Sequence, residues 1–180
     1  MTAVGHSIVG ATMAVWVLQS GASAKRKAIT LAMFAFLANL PDLPFPGWGH
    51  DDYLRSHSFL VVGVLMGVLA LALYLLRVVR TFIGSGWVLV AAVAAALSHI
   101  VLDATYNHGL GLGVLWPLSE ARLALPIPFL ETVREPFPAF TRHTARVMGI
   151  EALFYGAILL ATLGLKKMAM GKLGRGETSG

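Results

Sequence analysis

The chain has 180 residues, 57% of them hydrophobic and only 13% charged, with a mean hydropathy of +0.73. This balance excludes an ordinary soluble domain and fits a protein that crosses a membrane several times. A net charge of +5 and a pI near 9.9 do not call for nucleic acid, because Lys and Arg flanking apolar spans are what membrane topology demands, and no nucleic-acid partner is expected. Cysteine is absent, so any metal has to be held by nitrogen and oxygen ligands.

A transmembrane helix needs about 20 mostly apolar residues. Five stretches approach this, at about 4–22, 27–40, 57–77, 87–106 and 147–165. The first lacks Lys or Arg before Lys25, so it reads as a retained span and not as a signal peptide. In the second, the apolar run AITLAMFAFLANL has 13 residues and would extend about 20 Å as a helix. It is either a short span or a helix that delivers Pro41 and Asp42 into the headgroup layer. Between the fourth and fifth stretches lies a long segment rich in proline and arginine, too broken to span and suited to the membrane interface. The fold expected is all-α: an integral membrane bundle of about five transmembrane helices with a long interfacial loop before the last. Residues 1–168 form one domain, and 169–180 a flexible cytoplasmic tail.

With five spans, nine of the 14 basic residues fall on one side: Lys25, Arg26, Lys27, Arg77, Arg80, Lys166, Lys167, Lys172 and Arg175. That side is expected to be cytoplasmic, which puts the N-terminus outside and the C-terminus inside the inner membrane. All six histidines, and every acidic residue but Glu177, then map to the outer half. This segregation played no part in drawing the topology.

The stretch LSHIVLDATYNHG places His99 and Asp103 four residues apart at the end of an apolar run. Residues at that spacing share a helix face, and an ionisable group inside a membrane helix is read first as functional. His6 in VGHS, Asp42 in NLPDLP and His57 in RSHSF sit at outer ends of other spans. Five ligand-capable side chains from four spans meet if the bundle packs those ends together. Imidazole mixed with carboxylate suits Zn²⁺, with Mn²⁺ or Fe²⁺ as alternatives, whereas Ca²⁺ wants more oxygens. Three histidines and two aspartates exceed the usual needs of one zinc, so either two metals bind or one aspartate is an outer partner or general base. A plainer reading of His99 and Asp103 is a hydrogen-bonded pair joining helices, and a plainer reading of His57 is a helix-start residue at the interface with Ser56 as N-cap. Glu151, about a turn into the last span, is a weaker general-base candidate.

The motifs MTAVGH, NLPDLP, RSHSFL, LSHIVLDATYNHG and LWP, in this order, resemble the bacterial inner-membrane proteins described as membrane-bound, metal-dependent hydrolases, the LexA-regulated or YdjM-like family. The likeness runs from the N-terminus to about Pro128. It implies a multi-pass membrane protein with a hydrolase site, and points to His6, Asp42, His57, Ser58, His99 and Asp103. The His-x-x-x-Asp pair is also similar to that of zinc-dependent phospholipase C. Two departures bear on the metal count: Pro44 replaces the second aspartate of the family's usual PDxD, and Asp52 stands where a histidine is expected, with Arg55 displaced from the usual arginine position. One metal is therefore expected rather than two.

The function expected is hydrolysis of an ester or phosphodiester, lipid-like, at the outer membrane interface. His6, Asp42, His57, His99 and Asp103 hold the metal or orient its water, Asp42 and Asp103 are the catalytic carboxylates, and Arg55 meets a substrate phosphate. Membrane lipids are the expected partners, and the oligomeric state is left open. A non-catalytic metal-binding membrane protein and a transporter or proton relay are the alternatives, although a relay path should continue into the inner halves of the spans, which carry almost no ionisable side chains.

Overall fold

The computed structural model describes residues 1–43, 55–75, 86–107, 111–133 and 140–176. Five α-helices are described: α1 Ala3–Val17, α2 Ala24–Ala38, α3 Phe59–Leu75, α4 Gly86–Asp103 and α5 Arg142–Gly176. A single 3-10 turn, Leu40–Asp42, follows α2. No strand occurs among the described residues, and the only β feature there is an isolated bridge between Leu112 and Leu123. The all-α expectation holds.

Helix starts follow local side-chain chemistry. Thr2 caps α1 by accepting from the Val4 amide at 3.2 Å, and Ser23 caps α2 by accepting from the Arg26 amide at 3.3 Å, each satisfying an amide with no intrahelical partner. Lys25, Arg26 and Lys27 thus lie inside α2, not before it. Ser58, not Ser56, caps α3, with its hydroxyl 3.2 Å from the Leu60 amide and 3.4 Å from that of Val61. Ser56 has another role, described below.

α1 packs against α2, α4 and α5, while α4 packs against α1, α2 and α3. Small residues let these helices approach. A Cβ at Gly10 would lie 2.3 Å from the carbonyl oxygen of Phe34, so only glycine permits the α1–α2 contact. Ala92, Ala95 and Ala96 do the same for α4, beside Phe34, Val62, Met66 and Ile100. Close backbone approach of this kind is how helices associate where lipid removes any hydrophobic driving force between them.

The surface inverts the soluble pattern. Leu153 and Leu160 of α5 are 78% and 71% exposed, whereas His6, His57 and His99 are 0% exposed. An apolar exterior with histidines buried inside fits a lipid solvent. Among the described residues two helices, Gly86–Asp103 and Arg142–Met170, are long and apolar enough to cross a membrane. α1, α2 and α3, with 15 to 17 described residues, are about 22 to 26 Å long, below the roughly 30 Å of a hydrocarbon core. α5 continues far beyond residue 165, so the segment from 169, expected to be a flexible tail, is helical as far as Gly176.

The long connection before α5 is tied to the end of α4. Leu125 and Ile127 donate backbone hydrogen bonds to Ala104 and Thr105 carbonyls at 2.7 and 2.8 Å, and Leu112 and Leu123 exchange a pair at 2.9 Å each. Gly111 adopts φ +78°, and a Cβ there would lie 2.8 Å from the Leu123 oxygen. Leu118, Leu125, Phe129 and Phe140 are exposed along this connection.

Candidate metal centre

One end of the bundle gathers the start of α1, the turn after α2, the approach to α3 and the last turn of α4. Asp42, His57, His99 and Asp103 each present one ligand atom there, and the four atoms lie within 4.8 Å of one another. The Nε2 atoms of His57 and His99 are 3.3 Å apart. His57 Nε2 lies 3.5 Å from Asp42 Oδ1 and 3.4 Å from Asp103 Oδ2, and His99 Nε2 lies 3.4 Å from each.

These separations test the fit of an ion directly. Ligands about 2.0–2.1 Å from a tetrahedral zinc stand roughly 3.3–3.4 Å from one another. On an octahedral ion at the same radius, neighbouring ligands would be only about 2.9 Å apart. Five of the six separations lie near the tetrahedral value, and the sixth, between the two carboxylates, is within 4.8 Å. The donor set of two imidazoles and two carboxylates suits Zn²⁺, Mn²⁺ or Fe²⁺. This buried Asp, His, His, Asp cluster is able to hold a divalent metal.

The surroundings orient the ligands. His99 Nδ1 is 2.8 Å from the Ala38 carbonyl oxygen. A carbonyl only accepts, so Nδ1 carries the proton and, in the neutral ring, Nε2 turns its lone pair into the cluster. His57 Nδ1 contacts Ser56 Oγ at 2.8 Å, which is where Ser56 acts. Two carboxylates and two imidazole nitrogens facing one point are costly to bury unless protons or a cation lie between them. For Asp42, burial alone would raise the carboxyl, but the two imidazoles that face it outweigh burial and hold it well below the usual carboxylate range.

His6 is not one of the four. Its ring stacks on His99 with centroids 3.7 Å apart, and its Nε2 lies 3.1 Å from the other Asp103 oxygen, Oδ1. The Met1 amine reaches that same oxygen at 2.6 Å. His6 therefore grips a ligand from outside. Arg55 is exposed, its guanidinium carbon 5.8 Å from the centre of the Trp116 ring, at the same end of the bundle but outside the cluster. Ser58 donates to the Trp116 carbonyl as well as capping α3.

Glu151 is buried and bonded to α1, accepting from the Thr2 amide at 2.9 Å and from the Thr2 hydroxyl. It pins the start of the helix that carries His6, a carboxylate at a helix N-terminus. Arg146, on the same helix, pairs with Glu131 at 3.7 Å. His143 faces Glu131 and the Thr132 carbonyl, and Arg122 braces the Gly111 carbonyl. His50, Pro44, Asp51, Asp52 and His108 lie outside the described residues.

A helical membrane protein with a buried histidine–aspartate cluster at one end is the class these features define. The family model described as YdjM inner membrane protein matches residues 1–172, and the chain belongs to that family. The match extends through most of α5, well past Pro128, where the recognisable motifs stop. Neither comparison with curated proteins nor comparison with solved structures gives a match.

Proposed function

We propose that this protein is a multi-pass, zinc-dependent hydrolase of the inner membrane, acting on an ester or phosphodiester of a lipid-like substrate at the outer leaflet. The observation that carries the proposal is the set of five separations of 3.3–3.5 Å among Asp42, His57, His99 and Asp103. Those four residues would hold the ion, and zinc bound there supplies Lewis acidity that polarises an ester or phosphoryl oxygen and acidifies water.

The chain's own residues complete the site. Ser56 and the Ala38 carbonyl fix the two imidazoles, and His6 fixes Asp103. Arg55, exposed beside Trp116, offers paired N–H donors to a phosphate. In a five-span arrangement with the N-terminus outside, the cluster lies at headgroup depth, where phospholipid ester and phosphodiester bonds are found. The apolar side chains of the connection before α5 would rest in that leaflet.

A second reading, a metal site that only locks the helix ends, draws on one specific feature: four protein ligands already complete a tetrahedral shell, as in structural zinc sites. The two readings divide on activity. Purified protein containing one zinc per chain should release product from a phospholipid or a generic phosphodiester, and Asp103→Asn should abolish this without unfolding the protein. Stoichiometric zinc with no turnover of either substrate would favour the locking role.

A further inference from the structure

A four-ligand zinc shell is closed, yet hydrolysis needs a position that water or substrate can take. Three of the ligands are poorly placed to give one up. His57, His99 and Asp103 have side chains 0–1% exposed. Each is also held through its second polar atom: His99 Nδ1 by the Ala38 carbonyl at 2.8 Å, His57 Nδ1 by Ser56 at 2.8 Å, and Asp103 Oδ1 by His6 at 3.1 Å. His99 and Asp103 share the rigid last turn of α4, and His57 immediately precedes the Ser58 cap of α3.

Asp42 differs in its exposure and in the element that carries it. Its side chain is 17% exposed, the only one of the four that solvent touches appreciably. It ends a three-residue 3-10 turn held by single backbone bonds, from the Asp42 amide to the Asn39 carbonyl at 3.1 Å and from the Leu43 amide to the Leu40 carbonyl at 3.2 Å. A 3-10 turn has poorer hydrogen-bond geometry than an α-helix and yields at lower cost.

Building on the metal reading above, we infer that Asp42 is the exchangeable ligand: it closes the zinc shell at rest and leaves to admit an anionic oxygen from its solvent-facing side. Like replaces like in this exchange, a carboxylate oxygen giving way to a phosphodiester or carboxylate oxygen, so the ion's charge balance is preserved. The substrate class this selects is one that carries an anionic oxygen next to the bond to be broken. A neutral ester would have to displace a carboxylate without replacing its charge. Asp42 thus acts as a gate that only an anion opens.

The test uses the full chain in detergent with Co²⁺ as the probe ion and azide as the probe anion. Cobalt's visible absorption reports its coordination, and azide reports an open position. Asp42→Ala and the size-matched Asp42→Asn should each keep one Co²⁺ per chain at saturating ion, with affinity reduced roughly 100- to 1,000-fold, the loss of a single ligand. Both should respond spectrally to azide at lower concentrations than wild type does. Asp103→Asn should lose stoichiometric Co²⁺. If folded Asp42→Ala and Asp42→Asn lose the ion as completely as Asp103→Asn, or bind it with no greater azide response than wild type, the gate is refuted while the metal site stands. Wild type that binds no Co²⁺ overturns the metal reading and the gate with it.

Discussion

Replacing His99 by alanine removes one ligand nitrogen and, separately, the bond to the Ala38 carbonyl. Zinc binding at structural sites is worth about 10–16 kcal/mol. Shared among four donors, this is about 2.5–4 kcal/mol per ligand, or roughly 100- to 1,000-fold in affinity. The second loss is a matter of stability: a buried carbonyl deprived of its partner costs about 1–3 kcal/mol. The two effects separate experimentally, the first in a zinc competition titration against a chromophoric chelator, the second in thermal unfolding of the metal-free protein. Ser98→Ala is the matched control on the same helix, since the Ser98 hydroxyl bonds only locally to the Ala95 carbonyl at 2.8 Å, and it should leave zinc affinity unchanged. A His99→Ala protein that elutes and melts as a folded species yet binds zinc like wild type would refute the assignment of His99 as a ligand.

Other expectations concern the scaffold and its placement. Gly10→Ala puts a methyl 2.3 Å from the Phe34 carbonyl oxygen and should destabilise the protein by about 1–3 kcal/mol through forced separation of α1 and α2; an unchanged melting temperature would contradict that packing. Glu151→Ala should free the start of α1 and raise amide hydrogen exchange over its first turn, whereas Glu151→Gln, able to keep the bonds to Thr2, should not. Lys166 donates to the Val15 and Leu18 carbonyls at the end of α1, so Lys166→Met should cost about 0.5–2 kcal/mol in stability. Because the chain has no cysteine, single cysteines report topology cleanly. Glu120→Cys should react with an impermeant maleimide in spheroplasts and Gly21→Cys only after permeabilisation; the reverse pattern would invert the proposed orientation.

How much of this was legible in the sequence differs by feature. The His99–Asp103 pair was readable because helical periodicity fixes which residues share a face, and the structure sets Nε2 and Oδ2 3.4 Å apart. That Asp42 and His57 join them followed from their common position at outer helix ends and from the family's motifs, not from any local pattern. His6 was read as a ligand on the same reasoning, but its place on α1 directs it to the far oxygen of Asp103, a distinction of one atom that spacing does not encode. The anchoring carbonyl of Ala38 has no sequence signature, since every residue carries one. Glu151 was visible as a misplaced charge, whereas its partner was hidden: Thr2 lies 149 positions away, and only tertiary packing joins them. Helix limits moved for a similar reason. Apolar windows mark where lipid begins, while helices α2 and α5 run on past those windows.

The central claim is that side chains from three separate stretches of the chain make one tetrahedral zinc shell. Zinc K-edge X-ray absorption on the purified full-length protein tests it most directly. One zinc per chain, with four nitrogen or oxygen neighbours at about 2.0–2.1 Å and the outer-shell scattering of two imidazoles, is the expected result. Substoichiometric zinc, or a six-coordinate shell without imidazole scattering, would contradict it.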